Sequence, residues 1–430
     1  MFKSRFNLTG LLTPNSFTTQ VAKLVGGTTV AHLFTLLISP VLTRIFPAEA
    51  FGELQLFHSV VVILTILSTG CFEYTFVLPK RDENAAILFR LSFIINLSFS
   101  AFLYLIISFI HANEWLSGNF NSIVLWLIPV GVFFNSALNI LVHWIVRFEQ
   151  YGVASRSKVI QSFTVGGTQV SLGFLGTLNF GLISGHVFGR FISTVYLFFK
   201  RIRIRVERDY LKKNKQSVTA KYSEIVRFLI PSNILSYGAL EIPVFIISSF
   251  FGQEVLGFYS LAYRVLSVPS AFIGNSVGQV FFKQLSDRYN AEKLIRDFLY
   301  KTWGVLFLIT IIPTLILILW AEPLFAFVFG EQWQTAGSIA MIMAPLLAID
   351  FISAPTGKTL VVLEKQKVMP LFSLINILAR AGGLLMGWYQ NDFYLGLTYM
   401  VVGHIFGLVI YNLYLIKAVH SYESSVRNSK

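Results

Sequence analysis

Long apolar runs dominate this sequence and limit what it can fold into. A run of about 20 apolar residues is long enough to cross the hydrocarbon core of a bilayer as an α-helix, and roughly twelve such runs occur in the chain. Lipid cannot satisfy backbone hydrogen bonds, so each spanning segment must be helical. The sequence therefore predicts an all-α, polytopic membrane protein. The twelve predicted segments are 17–43, 52–78, 85–110, 122–146, 153–177, 180–200, 225–250, 255–281, 299–320, 334–361, 368–388 and 394–417.

Charged residues are too few to cover a soluble protein of this size. They make up 13% of the 430 residues, against about 25% in typical soluble domains. The net charge of +13 would suggest a nucleic-acid partner in a soluble protein, but here the basic residues lie between the apolar runs, and we expect no nucleic-acid partner. The single cysteine, Cys71, leaves no disulfide framework or cysteine metal site. No nucleotide-binding motif is present, so we expect neither cofactor nor metal.

Basic residues alternate between successive loops. Cytoplasmic loops of membrane proteins accumulate Lys and Arg. Here these residues concentrate at both termini and in the even-numbered loops, whereas the odd-numbered loops carry none beyond Arg44. This pattern requires an even number of helices with both termini in the cytoplasm. Residues 1–20 show no cleavable signal peptide, so we expect the first spanning helix to direct insertion.

The most basic segment, about 200–227, divides the predicted helices into two blocks of six. We interpret it as a cytoplasmic linker between an N-terminal lobe, 1–210, and a C-terminal lobe, 211–430. A short repeat supports this division, because the sequence FPAEAFG at 46–52 recurs as FGQEVLG at 251–257. Both copies lie in predicted outside loops. Six helices restore the chain's orientation, so the repeat is predicted to be parallel, as in one known transporter architecture.

Several charged residues fall within or at the ends of the predicted helices. A cation at the centre of a bilayer costs about 2.5–3.5 kcal/mol on insertion scales and indicates a functional site by default. Bases outnumber acids, which favours an anionic ligand such as phosphate or pyrophosphate, because guanidinium groups match phosphate oxygens. The candidate ligand-binding bases are Lys23, Arg44, Arg190, Arg264, Lys358 and Arg380, and the candidate ion-coupling acids are Glu73, Glu241 and Asp350.

Each candidate also has a structural interpretation. Lys23, Arg44 and Lys358 lie close enough to helix ends to extend their charges into the interface. Arg190 follows two glycines whose spacing suits helix packing. The acids either exchange protons with the bulk, as buried carboxylates can, or pair with the intramembrane bases. Arg264, near mid-depth in the eighth predicted segment, is the strongest candidate for a ligand contact.

Several sequence blocks resemble a known family. They are SPVLTRIFPAEAFGELQLF at 39–57, EYTFVLPKRDENAA at 73–86, residues 228–287, FGEQWQTAG at 329–337 and the stretch to VVLEKQK at 361–367. These blocks resemble the Wzx-type O-antigen flippases of the multidrug, oligosaccharidyl-lipid and polysaccharide exporter superfamily. The resemblance implies two six-helix lobes around a central cavity that opens alternately to each side. It also implies a substrate, an undecaprenyl-pyrophosphate-linked repeat unit moved from the inner to the outer leaflet of a bacterial inner membrane.

The resemblance and the charges together predict a transporter and not an enzyme. The expected partners are a lipid-linked oligosaccharide, membrane lipid, the polymerase and chain-length regulator of the same surface-polysaccharide pathway, and H⁺ or Na⁺. A multidrug antiporter is the alternative, but cationic drugs require acids, and bases are in excess here. A membrane glycosyltransferase usually works through a large outside loop, whereas the longest predicted here, near 111–121 and 321–333, are short. A scaffold would need no buried charges.

Overall fold

The chain is almost entirely helical, as the apolar runs predict. The computed structural model describes residues 17–113, 122–178, 180–204, 206–269 and 275–428, and none of these residues forms a strand. The described chain divides into two compact units. Unit one contains the described part of Met1–Ile45 together with Phe57–Ile234, and unit two contains Phe46–Leu56 together with Leu235–Lys430.

Unit one is built around helix pairs that pack along one another. Helix α5 packs along both α1 and α6, while α4 contacts α3 and α6. A short 3₁₀ helix, Phe72–Thr75, follows α2 and packs against α3 and α4. The helices are α1 Phe17–Ile45, α2 Ala48–Thr69, α3 Asp82–Ala112, α4 Ser122–Arg147, α5 Tyr151–Phe174 and α6 Gly181–Lys200.

Unit two contains the second part of a long helix, α7, whose first part belongs to unit one. Helix α13 packs along α14, α10 packs along α11, and α11 also contacts α8 and α14. Three 3₁₀ turns, Glu331–Trp333, Ala354–Thr356 and Gln366–Val368, connect these helices. The helices are α7 Arg208–Phe250, α8 Gln253–Pro269, α9 Asn275–Asn290, α10 Arg296–Phe329, α11 Gln334–Ser353, α12 Thr359–Val362, α13 Met369–Tyr389 and α14 Phe393–Asn428.

Within the described residues, ten helical segments are long and apolar enough to cross a membrane. The chain is therefore a multi-pass membrane protein. Two further predicted segments correspond to α5, which carries Arg156 and Lys158, and to α8, which has 17 residues. The count of twelve spans and the cytoplasmic position of both termini stay predictions.

One predicted loop differs from the structure. The segment 321–333 was expected to be an outside loop, but α10 continues to Phe329 after a kink at Trp320, where φ is −134°. Pro323 lies just after this kink and removes a helical hydrogen-bond donor. Of the other predicted long loop, 111–121, residues 114–121 lie outside the described chain.

The basic segment 200–227 is largely helical, because α7 already begins at Arg208. Val218, Tyr222 and Val226 are spaced four residues apart and form one buried face of this helix. They share a core with Phe76 and Trp144 in unit one. Burial of this apolar face stabilises the packing of the basic segment against the rest of unit one, while its charged residues lie on the opposite side of the helix.

The repeated motif begins two equivalent helices. Ala48 starts α2 and Gln253 starts α8, and these positions are separated by the repeat offset. A side chain at Gly52 would lie 2.0 Å from the carbonyl oxygen of Gln253, and one at Gly257 would lie 1.8 Å from that of Ala48. The two contacts are equivalent under the repeat, and both lie within unit two. Glycine is needed at both positions because the two backbones touch.

Helix α14 supplies the cap for α10. The side chain of Glu423 is 5% exposed, and its Oε1 accepts hydrogen bonds from the backbone N–H groups of Ile295 and Arg296, both at 2.8 Å. Ile295, at the N-cap position, provides no side-chain cap itself. Glu423 therefore satisfies donors that a helix N-terminus otherwise leaves without partners.

We expect Glu423→Ala to lower the free energy of unfolding by about 1–3 kcal/mol, because it leaves two buried donors without an acceptor. Glu423→Gln keeps an amide oxygen at the same position and should lose less. Thermal unfolding of the purified protein in detergent measures both effects. Equal losses in the two variants would contradict a capping role.

Candidate functional site

Five of the nine charged residues singled out in the sequence fall into two polar clusters, one in each unit. The unit-one cluster is built on α2, α4 and α6 and consists of Thr65, Thr69, Glu73, Asn135 and Arg190. The unit-two cluster is built on α7, α8, α11, α13 and α14. It consists of Glu241, Tyr259, Tyr263, Asp350, Arg380 and His404.

Arg190 anchors the unit-one cluster from α6. Its side chain is 7% exposed, and one of its terminal nitrogens donates to Asn135 Oδ1 on α4. Asn135 in turn donates to Thr65 Oγ1 on α2 at 2.8 Å. The Arg190 Nε has no hydrogen-bond partner among the described residues. Arg190 thus links three helices and retains unused donor capacity.

Glu73 lies at the other end of this cluster, in the 3₁₀ helix between the spanning helices α2 and α3. Thr69 Oγ1 lies 3.0 Å from Glu73 Oε1 and 3.2 Å from the carbonyl oxygen of Thr65, so one hydroxyl connects both groups. Glu73 is 4% exposed, and its Oε2 has no partner in the described chain. Burial, opposed by these hydrogen bonds, raises the pKa of Glu73 to about 7.

This pKa predicts a pH-dependent stability. The folded state holds the Glu73 proton more tightly than the unfolded state, whose pKa is near the ordinary 4.5. The contribution of Glu73 to the free energy of unfolding is therefore fully present below pH 4.5 and is lost as the pH rises through about 7. Above that pH, we expect Glu73→Gln to exceed wild type in stability by about 3 kcal/mol, because each pKa unit corresponds to about 1.4 kcal/mol.

Unfolding curves of wild type and Glu73→Gln across pH 4–9 measure this difference, with Glu224→Gln, at an exposed glutamate on α7, as the matched control. Curves that stay parallel for wild type and Glu73→Gln would show that Glu73 does not take up a proton on folding.

A second buried polar group lies beside the unit-one cluster. Ser68 Oγ is 2.7 Å from both Asn96 Oδ1 and Ser136 Oγ, and Asn96 donates to the carbonyl oxygen of Phe133. Ser68, Asn96 and Ser136 are all fully buried. Interhelical hydrogen bonds of this kind hold spanning helices together where no hydrophobic force can.

The unit-two cluster surrounds Arg380 on α13. Its Nε is 3.3 Å from Nδ1 of His404 on α14, and its Nη1 donates to the carbonyl oxygen of Ala239 on α7 at 3.0 Å. Arg380 also interacts electrostatically with Asp350 on α11 and with Tyr259 and Tyr263 on α8. Glu241 acts on the same two tyrosines. The structure therefore brings Arg380, Asp350 and Glu241 into one environment around these two tyrosines.

The remaining candidate bases lie apart from the two clusters. Arg264, on α8, is half-buried, and its guanidinium has no hydrogen bond or ion pair with any described residue. Lys358 is exposed before α12, with its Nζ 5.3 Å from the Phe282 ring centre. Arg44 is exposed in the last turn of α1 and donates to the carbonyl oxygen of Pro40. The side chain of Lys23 lies outside the described part of the chain.

The polar partners of these charges were not predicted from the sequence. Asn135, Thr65 and Thr69 are uncharged residues inside apolar helices. The sequence spacing could have indicated part of this cluster, because Thr65, Thr69 and Glu73 recur every four residues, which is the spacing of one helix face. The two tyrosines of α8, Tyr259 and Tyr263, are also four residues apart.

The fold is that of known membrane transporters. The solved lipid II flippase MurJ, in an inward closed conformation, superposes with a TM-score of 0.68 over 93% of this chain and 90% of its own, at 15% identity. A multidrug resistance transporter of the MATE family, in an inward-facing conformation, gives 0.57 over 98% of each chain at 13% identity. Both likenesses establish the fold of the MOP superfamily.

Sequence comparison identifies the family. The model of the polysaccharide biosynthesis protein family matches residues 41–338, and the chain belongs to this family. The teichuronic acid biosynthesis protein TuaB of Bacillus subtilis (strain 168) is 28% identical over 134 residues, which are 31% of this chain and 28% of TuaB. The lipopolysaccharide biosynthesis protein WzxC of Escherichia coli (strain K12) is 24% identical over 215 residues, 50% of this chain and 42% of WzxC. The matches thus span less than half of each relative, and they confirm the family resemblance found in the sequence.

Proposed function

We propose that this protein flips a lipid-linked oligosaccharide from the inner to the outer leaflet of a bacterial inner membrane. The substrate is an undecaprenyl-pyrophosphate-linked repeat unit for surface polysaccharide such as O-antigen or capsule. The observation that carries the proposal is membership of the polysaccharide biosynthesis family by a chain with the fold of a lipid II flippase. The names of TuaB and WzxC point to surface polysaccharides as well.

Arg264 is the proposed contact for the pyrophosphate. Its half-buried guanidinium has no partner among the described residues, so its donors are available to a ligand. A guanidinium presents a planar fork of N–H donors that matches phosphate oxygens. Arg190 has a free Nε but is held by Asn135, and Arg380 is held by His404 and Ala239. These two bases therefore serve mainly to position the helices that carry them.

The acids have different proposed roles. Glu73 is buried and has a pKa near neutrality, so it is the better candidate for coupling transport to a proton gradient. Asp350 and Glu241 share the environment of Arg380, which already supplies a positive charge. Two six-helix lobes, alternating access, and association with a polymerase and a chain-length regulator complete the proposal.

A multidrug antiporter is the competing function, because solved multidrug transporters have the same fold. Such a protein binds cationic compounds and needs acids free to receive them. Asp350 interacts electrostatically with Arg380, and the unit-one cluster also contains a buried base, Arg190. Each cluster therefore contains a base as well as acids, which argues against a site built for cationic compounds.

Deletion of the gene in its source bacterium tests the proposal. A flippase mutant should lose surface polysaccharide and accumulate the lipid-linked repeat unit in the inner leaflet, where an impermeant sugar-modifying reagent applied outside cannot reach it. A polymerase or ligase mutant would accumulate the same compound in the outer leaflet, within reach of the reagent. Unchanged surface polysaccharide together with increased sensitivity to cationic drugs would favour the antiporter.

A further inference from the structure

A groove in unit one shares no lining residue with the unit-one polar cluster. It has a volume of about 620 Å³ and lies between α3, the end of α4 and the segment that follows α6. Arg90 of α3 and Arg201 and Arg203 of the following segment line it. In the sequence Arg90 lies near the predicted cytoplasmic end of the third segment, Arg201 and Arg203 lie in the basic linker, and the fold brings the three to one cavity.

Aromatic residues hold the groove in shape. Trp144, three residues before the end of α4, donates from Nε1 to the carbonyl oxygen of Ile202 at 3.0 Å. This bond fixes the segment after α6 against α4. Arg201 donates to the carbonyl oxygen of Phe198 and lies 3.4 Å from the centre of the Phe198 ring, which holds its guanidinium at the end of α6. The arginines are therefore presented by an ordered scaffold.

The charge of the groove is positive. Among its described lining residues, three arginines and one acid, Glu207, give a net charge of +2. None of the three arginines forms an ion pair within 4.0 Å with a described acidic residue. Arg90 and Arg203 are exposed, whereas Arg201 is half-buried. The guanidinium groups of Arg90 and Arg203 can thus bind an anion, and the guanidinium of Arg201 is already held in place by Phe198.

The walls between the arginines are apolar, with Phe89, Trp144, Ile204 and Val206 among them. A free phosphate ion gains nothing from apolar walls, whereas a phospholipid places its phosphate beside the start of two acyl chains. The groove also lies where α4 and α6 end on the predicted cytoplasmic side, where we expect the lipid headgroups of the inner leaflet. Basic pockets between spanning helices on this side bind anionic headgroups in other membrane proteins.

We propose that this groove binds the headgroup of an anionic phospholipid of the inner leaflet. Arg90 and Arg203 contact the phosphate, Arg201 adds a fixed positive charge, and the half-buried Phe89 and Ile204 pack beside the glycerol and the first acyl carbons. The site is separate from the proposed pyrophosphate contact at Arg264, which belongs to unit two. Its existence does not depend on the transport function.

Native mass spectrometry of the full-length protein in detergent tests the site with phosphatidylglycerol, phosphatidylcholine or inorganic phosphate as the added probe. We expect phosphatidylglycerol to bind more tightly than the other two. Arg90→Gln/Arg203→Gln should weaken this binding about 25-fold, since each arginine contributes roughly fivefold near a membrane anion. Arg201 is left unchanged, because it also caps the end of α6.

Lys215→Gln/Arg227→Gln removes the same charge from exposed positions of α7 outside the groove, and it should bind phosphatidylglycerol within twofold of wild type. An equal loss in this control would show non-specific attraction and overturn the proposal. Binding of phosphatidylcholine as tight as that of phosphatidylglycerol would overturn it, as would effective competition by inorganic phosphate. The melting temperature of each variant, measured in parallel, confirms that it is folded, and Arg90→Lys/Arg203→Lys should retain most of the affinity.

Discussion

Replacing Gly257 with valine is expected to disrupt the start of α8 and to stop transport. A side chain there would lie 1.8 Å from the carbonyl oxygen and 2.6 Å from the carbonyl carbon of Ala48, so the two helix starts must separate. Forcing additional atoms into a packed contact costs about 1–3 kcal/mol, occasionally more. Close approach at small residues is a principal source of helix association in membranes. The melting temperature and transport in liposomes measure the two effects.

Two further variants sharpen this prediction. Gly52→Val meets the equivalent contact, 2.0 Å from the carbonyl oxygen of Gln253, and should behave like Gly257→Val. Gly382→Val is the matched control, because a side chain at Gly382 on α13 has no heavy atom within 4 Å. If all three variants lose stability equally, the cause is valine in a spanning helix and not the contact between the two repeats.

Arg264→Ala is expected to reduce flipping of a polyprenyl-pyrophosphate oligosaccharide by about 10- to 100-fold, because a hydrogen bond to a charged group contributes about 1.5–3 kcal/mol. The fold should not change, since the guanidinium has no partner among the described residues. Arg264→Lys keeps the charge but loses the planar fork and should recover part of the rate. Initial flipping rates at several substrate concentrations measure the loss.

Lys358→Ala is the comparison for Arg264→Ala. Lys358 is also a base from the predicted spanning segments, but it is exposed and lies over the Phe282 ring. It should alter flipping by less than about fivefold, the scale of one screened surface charge. Equal losses at both positions would indicate a general requirement for positive charge and would remove Arg264 from the site.

Much of the fold was predictable because the bilayer imposes a simple rule. Lipid requires a long apolar helix, so segments such as 122–146 and 180–200 match α4 and α6 within a few residues. Hydropathy does not report where a helix ends beyond the lipid. Helix α7 therefore begins well before its predicted segment, at Arg208, because Val218 and Tyr222 give its basic half an apolar face.

The site was less predictable, because its chemistry depends on which helices meet. The intramembrane position of Arg380 could be recognised from the sequence, and the cost of burying a charge made it a candidate. Its partners Ala239 and His404 lie 141 and 24 residues away. A single sequence does not show such pairings. The buried position of Glu73 depends equally on the turn at Gly70 and Cys71, where positive φ angles end α2 and redirect the chain.

Leaflet translocation by the purified protein in liposomes tests the central claim most directly. The substrate is a polyprenyl-pyrophosphate oligosaccharide bearing the repeat unit of the source cell, and an impermeant reagent reports its exposure on the outer surface. The proposed function predicts protein-dependent flipping of this substrate and none of a cationic dye. Expulsion of the dye on an ion gradient, without movement of the lipid-linked oligosaccharide, would contradict it and establish a multidrug antiporter.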